Sequence, residues 1–401
     1  MVNRVGLTIL LTALLGLATC GLLLPLFLEL WSMLKVVFGR GDGVPAAAVP
    51  LPRLLFLVPA HNEERLVGAC LRSILDQDYP ADSLRVVVIA DNCSDGTARI
   101  TNEMGVVCFE RSDPTLSGKP RALAWALPQL LDEPWEACVL VDADAVVASN
   151  YASLLAARSP LWAKVVQTYS GATNERDNWL TRLAGVLSRC RYQVSYVLKT
   201  RAGLNSPLMC CGTSIGRRLL DPGGWDAFSL TENWELYARF AAAGVKVELE
   251  PAAILLSEQA GSMRQGQTQR RRWLAGRIGV LRSYAGAIVR SDRIGLHQKL
   301  DALVELGGLS PVLHLAAALA VASAGLEMLP GGPKEWIVGG ALLSLVSLTL
   351  QVLIVLFRHP EPGATLAAFA MLPVYAGWRV VVLFRTILGR RDTTWRRTAR
   401  D

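Results

Sequence analysis

Ala137-Cys138-Val139-Leu140-Val141-Asp142-Ala143-Asp144 is an apolar run that ends abruptly on two carboxylates one residue apart. A short apolar run of this kind reads as a buried strand. Alternate residues of an extended chain point the same way, so Asp142 and Asp144 can face one ligand. Two carboxylates at one point repel unless a cation lies between them. An oxygen-seeking Mg²⁺ or Mn²⁺ that also bridges substrate phosphates fits that requirement. An isolated Asp-x-Asp reads first as two solvated loop residues; directly after Val139-Leu140-Val141 that reading loses its priority.

The residues before it repeat the pattern. Leu54 to Val58 is strand-like, and a helical pattern runs from Glu63 to Gln77. Arg85 to Ala90 is a second strand, with a helix from about Ser94; Val106 to Phe109 is a third, with a helix from Lys119 to Leu131. Strands alternating with helices predict an α/β domain over residues 51–260 with a doubly wound, mostly parallel sheet. Such sheets bind ligands at the carboxyl ends of their strands. His61-Asn62-Glu63, Asp91-Asn92-Cys93-Ser94-Asp95 and Asp142-Ala143-Asp144 all follow strands. For Ser94 and Asp95 helix capping is the better reading, but three such clusters together define a crevice.

The chain has 401 residues, 52% hydrophobic and 19% charged. An ordinary soluble domain is about 25% charged, so a disordered chain and most single soluble domains are excluded. Val5 to Leu28 carries no charge, and at 1.5 Å per residue it reaches roughly 36 Å, enough to cross a bilayer core of about 30 Å. It exceeds the usual h-region of a cleaved signal peptide, so an uncleaved span over residues 1–38 is expected. Leu306 to Leu326 and Trp336 to Phe357 read as two further spans, separated by Pro330-Gly331-Gly332-Pro333. Gly363 to Trp378 is shorter, contains Pro373 and is followed by Arg379 and Arg385, which predicts a re-entrant or interfacial segment, a full span being the alternative. Residues 301–389 thus form a membrane region, and the tail over 390–401 is basic. The positive-inside rule places that tail and the central domain on the cytosolic side of a multi-pass protein of the cell (inner) membrane. The eight cysteines include no Cys-x-x-Cys, which suggests reduced thiols rather than a zinc site.

Seven motifs in order carry a resemblance: Val58-Pro59-Ala60-His61-Asn62-Glu63, Ala90-Asp91-Asn92-Cys93-Ser94-Asp95, Ser117-Gly118-Lys119-Pro120-Arg121-Ala122-Leu123, Asp142-Ala143-Asp144, Cys211-Gly212-Thr213, Thr231-Glu232-Asn233 and Gln269-Arg270-Arg271-Arg272-Trp273. The chain resembles the family 2 glycosyltransferases of GT-A (Rossmann-like) fold, and among them the membrane-embedded synthases of cellulose, hyaluronan and poly-N-acetylglucosamine. The resemblance implies that Pro59, His61, Glu63, Asp91, Lys119 and Asp142 hold a nucleotide-sugar, with a UDP-sugar by family precedent. It implies that Asp142 and Asp144 coordinate the metal. It also implies that Cys211, Gly212 and Thr213, with Gln269, Arg272 and Trp273, form the acceptor side. The activity implied is an inverting transfer to a growing β-linked polysaccharide, with a lipid acceptor as the alternative. Three or four membrane segments are few for secreting a polymer, which would call for an oligomer or a secretion partner.

The sequence departs from that family at Thr231-Glu232-Asn233, where the family pattern ends in an aspartate that acts as base. A neutral amide does not accept the proton as a carboxylate does. Glu232 is the expected replacement, with Glu235 behind it; loss of the base altogether would make the chain a non-catalytic partner of the same fold. A nucleotidyltransferase is disfavoured, because no Gly-x-x-x-x-Gly-Lys-[Ser/Thr] loop occurs. The net charge of +7 equals that of Arg264 to Arg293, which holds eight arginines and one aspartate. Residues 261–300 are accordingly expected to join the Gln-x-x-Arg-Trp platform to a cationic helix whose Leu274, Ile278 and Leu281 lie on anionic membrane lipid. Nucleic acid is not an expected partner, since the window holds no recognised nucleic-acid motif.

Overall fold

The computed structural model describes residues 4–38, 51–209, 211–220 and 224–388. Cys210 and the basic tail over 390–401 lie outside the described residues.

The central region opens with β1 (Leu54–Ala60), α1 of the chain (Arg4–Phe38) preceding it, and continues with α2 (Val67–Leu75), β2 (Leu84–Asp91), α3 (Thr97–Glu103), β3 (Val107–Arg111) and α4 (Lys119–Ala126). Next come β4 (Ala137–Leu140), β5 (Ala145–Val147), α5 (Tyr151–Ala156), β6 (Val165–Ala172), α6 (Trp179–Arg189) and α7 (Tyr196–Arg201). The region closes with β7 (Thr213–Gly216), α8 (Glu232–Ala242) and β8 (Val247–Ser257). One eight-stranded sheet results, in the order β3-β2-β1-β4-β7-β6-β8-β5. Its first half is parallel, as the alternation of strands and helices predicts. Beyond β4 it is mixed: β7 runs antiparallel to β4 and β6, β8 parallels β6, and β5 runs antiparallel to β8.

The near-continuous apolar character of β1, β2 and β4 follows from burial on both faces. Leu55, Leu57, Val87, Ile89, Cys138 and Leu140 enter one core with α4 and α8. Leu54, Phe56, Val58, Val86, Val88 and Val139 enter the other, with α2 and α5. The helix expected over Glu63–Gln77 starts only at Val67. That expected over Lys119–Leu131 ends at Ala126, where Pro128 turns the chain into a short 3₁₀ turn over Leu127–Leu130.

The C-terminal third is helical: α9 (Met263–Arg290), α10 (Leu296–Gly307), α11 (Pro311–Met328), α12 (Pro333–Leu343), α13 (Val346–Arg358), α14 (Pro362–Phe369) and α15 (Leu372–Leu388). Among the described residues three helical stretches are long and apolar enough to cross a membrane: Gly6–Phe38, Pro311–Met328 and Pro333–Arg358. The expected span from Leu306 begins instead at Pro311, because Gly308, Leu309 and Ser310 interrupt the helix and Pro311 starts a new one. The segment Gly363–Trp378 lies across α14 and α15, which are bent by 53° around Ala370 and Met371.

Two features of this third correct the reading of the sequence. Helix α10 was hidden inside a charged stretch; its Asp301 and Glu305 take the buried Lys199 of α7 between them, at 3.0 and 2.8 Å. Helix α9 does not turn its whole apolar stripe to lipid. Val280 and Ile288 are buried, and with Leu281 and Tyr284 they join the α8 core. Arg264, Arg282, Arg290 and Arg293 remain exposed. Helix α1 is fastened at both ends of the sequence, since Glu29 Oε1 accepts from Ser195 Oγ at 3.2 Å and from Gln351 Nε2 of α13 at 2.9 Å.

Candidate active site

Three loops leave the carboxyl ends of β1, β2 and β3, and short polar side chains sew them together. Asn62 and Asn92 both adopt left-handed backbone, φ 55° and 52°, which asparagine tolerates better than most residues. Asn62 Oδ1 accepts from the Ser94 amide at 2.7 Å, so it joins the first loop to the second. Asn92 joins the second to the third, accepting from the Asp113 amide at 2.7 Å and donating to its carbonyl at 3.1 Å. Asp95 accepts from the Thr97 amide at 3.0 Å and from the Glu64 amide at 3.1 Å, a turn ahead of α3; the N-cap itself is Gly96, without a side-chain cap, rather than Ser94 or Asp95 as expected.

Asp91 is 4% exposed and fully engaged. Arg111 Nη1 donates to its Oδ1 at 2.5 Å and the Gly118 amide to its Oδ2 at 3.0 Å. His61 Nδ1 is 2.7 Å from the Asp91 carbonyl. Asp91 is therefore the hub on which the third loop and the start of α4 are positioned. Arg111→Ala leaves that carboxylate buried without its partner, and is expected to cost about 3–5 kcal/mol of stability. Thermal unfolding checks this; a melting temperature equal to wild type would refute the hub.

Lys119, the first residue of α4, reaches across the crevice and pairs with Asp142 Oδ1. Asp142 and Asp144 are half-buried and flank the buried Ala143. The expected extended course is not kept, because Ala143 and Asp144 lie in a turn closed by the Ala145 amide on the Asp142 carbonyl at 2.9 Å. From below, the Cys211 sulfur receives the Asp142 amide at 3.3 Å, and the Cys70 thiol donates to the Asp142 carbonyl at 3.6 Å. Burial, with the nearby carboxylates, pushes both thiols up, so they remain protonated supports rather than nucleophiles. Among the described residues no three His, Cys, Asp or Glu side chains cluster as a metal cage. Two carboxylates on an open crevice suit a hard cation that takes its other ligands from substrate phosphates and water.

The Cys211-Gly212-Thr213 segment is held rigidly from beneath. Gly212 has φ 73°, and a Cβ there would lie 2.4 Å from Thr168 Oγ1, so glycine is required. Gln167, fully buried, donates to the Cys211 carbonyl at 3.1 Å and accepts from Met209 and Thr213. Thr213 is itself buried, so this segment offers the crevice a surface made by its backbone rather than its hydroxyl.

At the start of α8 the three candidate groups part company. Asn233 Nδ2 donates to the Leu208 carbonyl at 2.9 Å, so its amide anchors the irregular segment around Leu208. Glu235 accepts from the Ser229 amide at 2.8 Å and from the Tyr284 hydroxyl at 3.1 Å, which ties it into the fold. Glu232 is half-buried and faces Arg272 of α9. Gly276, one turn beyond Arg272, lets α9 close on Thr231, since a Cβ there would meet Thr231 Cγ2 at 2.4 Å. Burial pushes the Arg272 pKa down while the Glu232 carboxylate opposes that shift. Gln269 is half-buried and Trp273 is 43% exposed, an indole open to a ligand.

Residues 52–276, more than half of the chain, match the model of the glycosyltransferase-like family 2. The chain is a family 2 glycosyltransferase. Similar proteins include an N-acetylglucosaminyltransferase of Rhizobium meliloti (strain 1021), 29% identical over 276 residues that make up 62% of each chain. A beta-monoglucosyldiacylglycerol synthase of Trichormus variabilis is 27% identical over 265 residues, 63% of this chain and 55% of that one. The glycosyltransferase thus spans little more than half to three fifths of the length of these relatives. Its fold matches that of a mannosyltransferase from Pyrobaculum calidifontis solved with GDP-Man and Mn²⁺, with TM-score 0.59 and 19% identity over 95% of this chain and 99% of that one.

In this glycosyltransferase Asn233 is a donor where the resemblance expects a carboxylate. Asn233→Asp would set a carboxylate against the Leu208 carbonyl and is expected to cost about 1–3 kcal/mol. A thermal shift measures it, and an unchanged melting temperature would show that Asn233 does not anchor Leu208. Arg111, Asp113 and Gln167 escape motif reading altogether. The only trace of the first is a basic residue at the end of a strand opposite Asp91, 20 residues away in sequence.

Proposed function

We propose that this enzyme catalyses the inverting transfer of a sugar from a nucleotide-sugar, a UDP-sugar first, to a hydroxyl of a membrane lipid, with the catalytic domain on the cytosolic side. The observation that carries the acceptor class is the seat of the acceptor-side helix: α9 packs on the bent pair at α15, and Arg270 lies against the stacked rings of Tyr375 and Trp378. This puts Gln269, Arg272 and Trp273 at the edge of the apolar helices.

On this reading His61, Glu63 and Asp91, with Pro59, form the nucleoside side of the crevice, and the stitched loops keep it in place. Mg²⁺ or Mn²⁺ on Asp142 and Asp144, when bound, neutralises charge on the departing diphosphate. Lys119 is already aimed at that point and holds Asp142 oriented. Trp273 stacks on an acceptor or sugar ring, and Arg272 orients Glu232. Glu232 takes the proton of the attacking hydroxyl. It is the one carboxylate of the Thr231–Glu235 turn without a hydrogen bond among the described residues.

The second reading is the polysaccharide acceptor placed first by the sequence, and Gln269-x-x-Arg272-Trp273 favours it. The candidate spans bury only 11%, 28% and 17% of their residues within the chain, so their surfaces face outward, which favours the lipid. Membranes holding the protein would be incubated with labelled UDP- and GDP-sugars. One labelled species extracted into chloroform–methanol supports the lipid reading; an ethanol-insoluble ladder overturns it in favour of the polymer. Absence of metal-dependent diphosphate release with every donor would point to the non-catalytic partner instead.

A further inference from the structure

Beside the proposed acceptor platform lies a group of arginines that make no ion pair with a carboxylate among the described residues. Arg270 is over the rings of Tyr375 and Trp378, at 5.8 and 5.7 Å. Arg379 of α15 is over the same Tyr375 ring at 6.0 Å and donates to Ser310 Oγ at 3.1 Å. Arg277 donates to the Gly308 carbonyl and lies over Trp234 at 5.6 Å. Arg277 and Arg379 therefore grip neighbouring residues of one helix break, and Arg270 and Arg379 share one ring. Carbonyl, hydroxyl and ring groups are what these guanidinium groups touch among the described residues, and Glu305 acts on Arg277 without forming an ion pair.

The charge is poorly compensated. The Nε atoms of Arg270 and Arg379 are buried without a hydrogen-bond partner. Burial pushes the Arg270 pKa down, and although Tyr375 opposes this, Arg379 and Arg191 push the same way. Burial likewise lowers that of Arg277, against the pull of Glu305 and with Arg191 and Arg379 adding to the fall. Arg270, Arg277 and Arg379 thus carry three charges in one region, and Glu305, which acts on Arg277, is already paired with Lys199 at 2.8 Å. A buried charge without a partner is strongly destabilising. An anion would relieve it, and a phosphate, whose oxygens match guanidinium forks, is the best fit. Its approach is set by the surroundings: α11 begins at the same helix break, α15 belongs to the bent apolar pair, and Tyr375 and Trp378 are residues that favour the headgroup level.

We propose that Arg270, Arg277 and Arg379 seat the phosphate of an anionic membrane lipid on the acceptor side of the enzyme. The site deepens the lipid-acceptor reading, on which it rests for its role, by giving the acceptor a class: a phosphate-bearing lipid. Occupancy is measured without turnover, so the two can fail separately. Full-length protein in dodecyl maltoside would be mixed with dioleoyl phosphatidic acid, dioleoylglycerol or inorganic phosphate, and lipid retention read by native mass spectrometry alongside the melting temperature. Phosphatidic acid should be retained and dioleoylglycerol not. Arg270→Gln and Arg379→Gln should each weaken retention at least about tenfold. Arg270→Lys should keep part of it, and Arg282→Gln, on the exposed side of α9, should match wild type. Equal retention of dioleoylglycerol, wild-type retention by both glutamine variants, or full competition by inorganic phosphate at the lipid's own concentration would overturn the site. Retention intact but a labelled product that fails to bind an anion exchanger would leave the site standing and overturn the acceptor's class.

Discussion

Asp144→Ala is expected to lower metal-dependent diphosphate release by about 10²–10³-fold, the range seen when one preorganised group that stabilises transition-state charge is removed. Asp144 follows the buried Ala143 and leads directly into β5, so its carboxylate is carried by two buried neighbours on a hydrogen-bonded turn. The side chain itself is half-buried, and the melting temperature should change little. The loss should be accompanied by a higher requirement for Mn²⁺, read by titrating the metal in a coupled diphosphate assay. Asp142→Ala should be as severe, and in addition it releases Lys119 from its partner. An Asp144→Ala enzyme that keeps more than a tenth of the wild-type rate at the same metal concentration would refute the proposed metal site.

Glu232→Gln should reduce kcat by about 10²–10⁴-fold, the contribution ordinarily made by a positioned general base. The substitution keeps size and removes only the ability to accept a proton, so folding should be preserved. The acidic limb of the pH–rate profile should vanish with it, because a carboxylate that must be ionised to work is no longer present. Glu235→Gln makes the contrast. Glu235 receives two hydrogen bonds from Ser229 and Tyr284, and its loss should appear in the melting temperature and spare the rate. The assignment fails if Glu235→Gln loses activity as Glu232→Gln should, or if Glu232→Gln keeps the wild-type pH profile.

Much of the fold was legible because the parallel half of the sheet is buried on both faces, and Leu54 to Val58, Arg85 to Ala90 and Ala137 to Val141 are nearly unbroken apolar runs. The mixed half was not. Thr213–Gly216 and Ala145–Val147 are too short to show a period, and β6 and β8 pair across 82 residues of chain at Val165 and Val247. The carboxylates of the crevice were legible because they terminate strands. The contacts that hold them were not, since Asp91 with Arg111, Asp142 with Cys70 and Cys211, and Asn233 with Leu208 are set by tertiary geometry. The arginine window shows the limit most plainly. An amphipathic stripe such as Leu281, Tyr284 and Ile288 reads the same whether it meets lipid or protein, and here it meets α8. Within the same helix Arg270 and Arg272, two residues apart, point to different partners, Tyr375 and Trp378 for one and Glu232 for the other.

Glu29 of α1 has consequences for the order in which the protein is assembled. Its two partners are supplied by Ser195, 166 residues later, and Gln351, 322 residues later. At a synthesis rate of about 5–20 residues per second, the helix waits tens of seconds in the making before α13 arrives. Until then the carboxylate in this apolar helix has at most the Ser195 hydroxyl as a partner, and the intervening catalytic domain must fold while α1 is incompletely docked. A chain that stops short of α13 therefore carries in α1 an acid with one of its two hydrogen-bond donors missing, a difference that sets an unfinished molecule apart from a finished one.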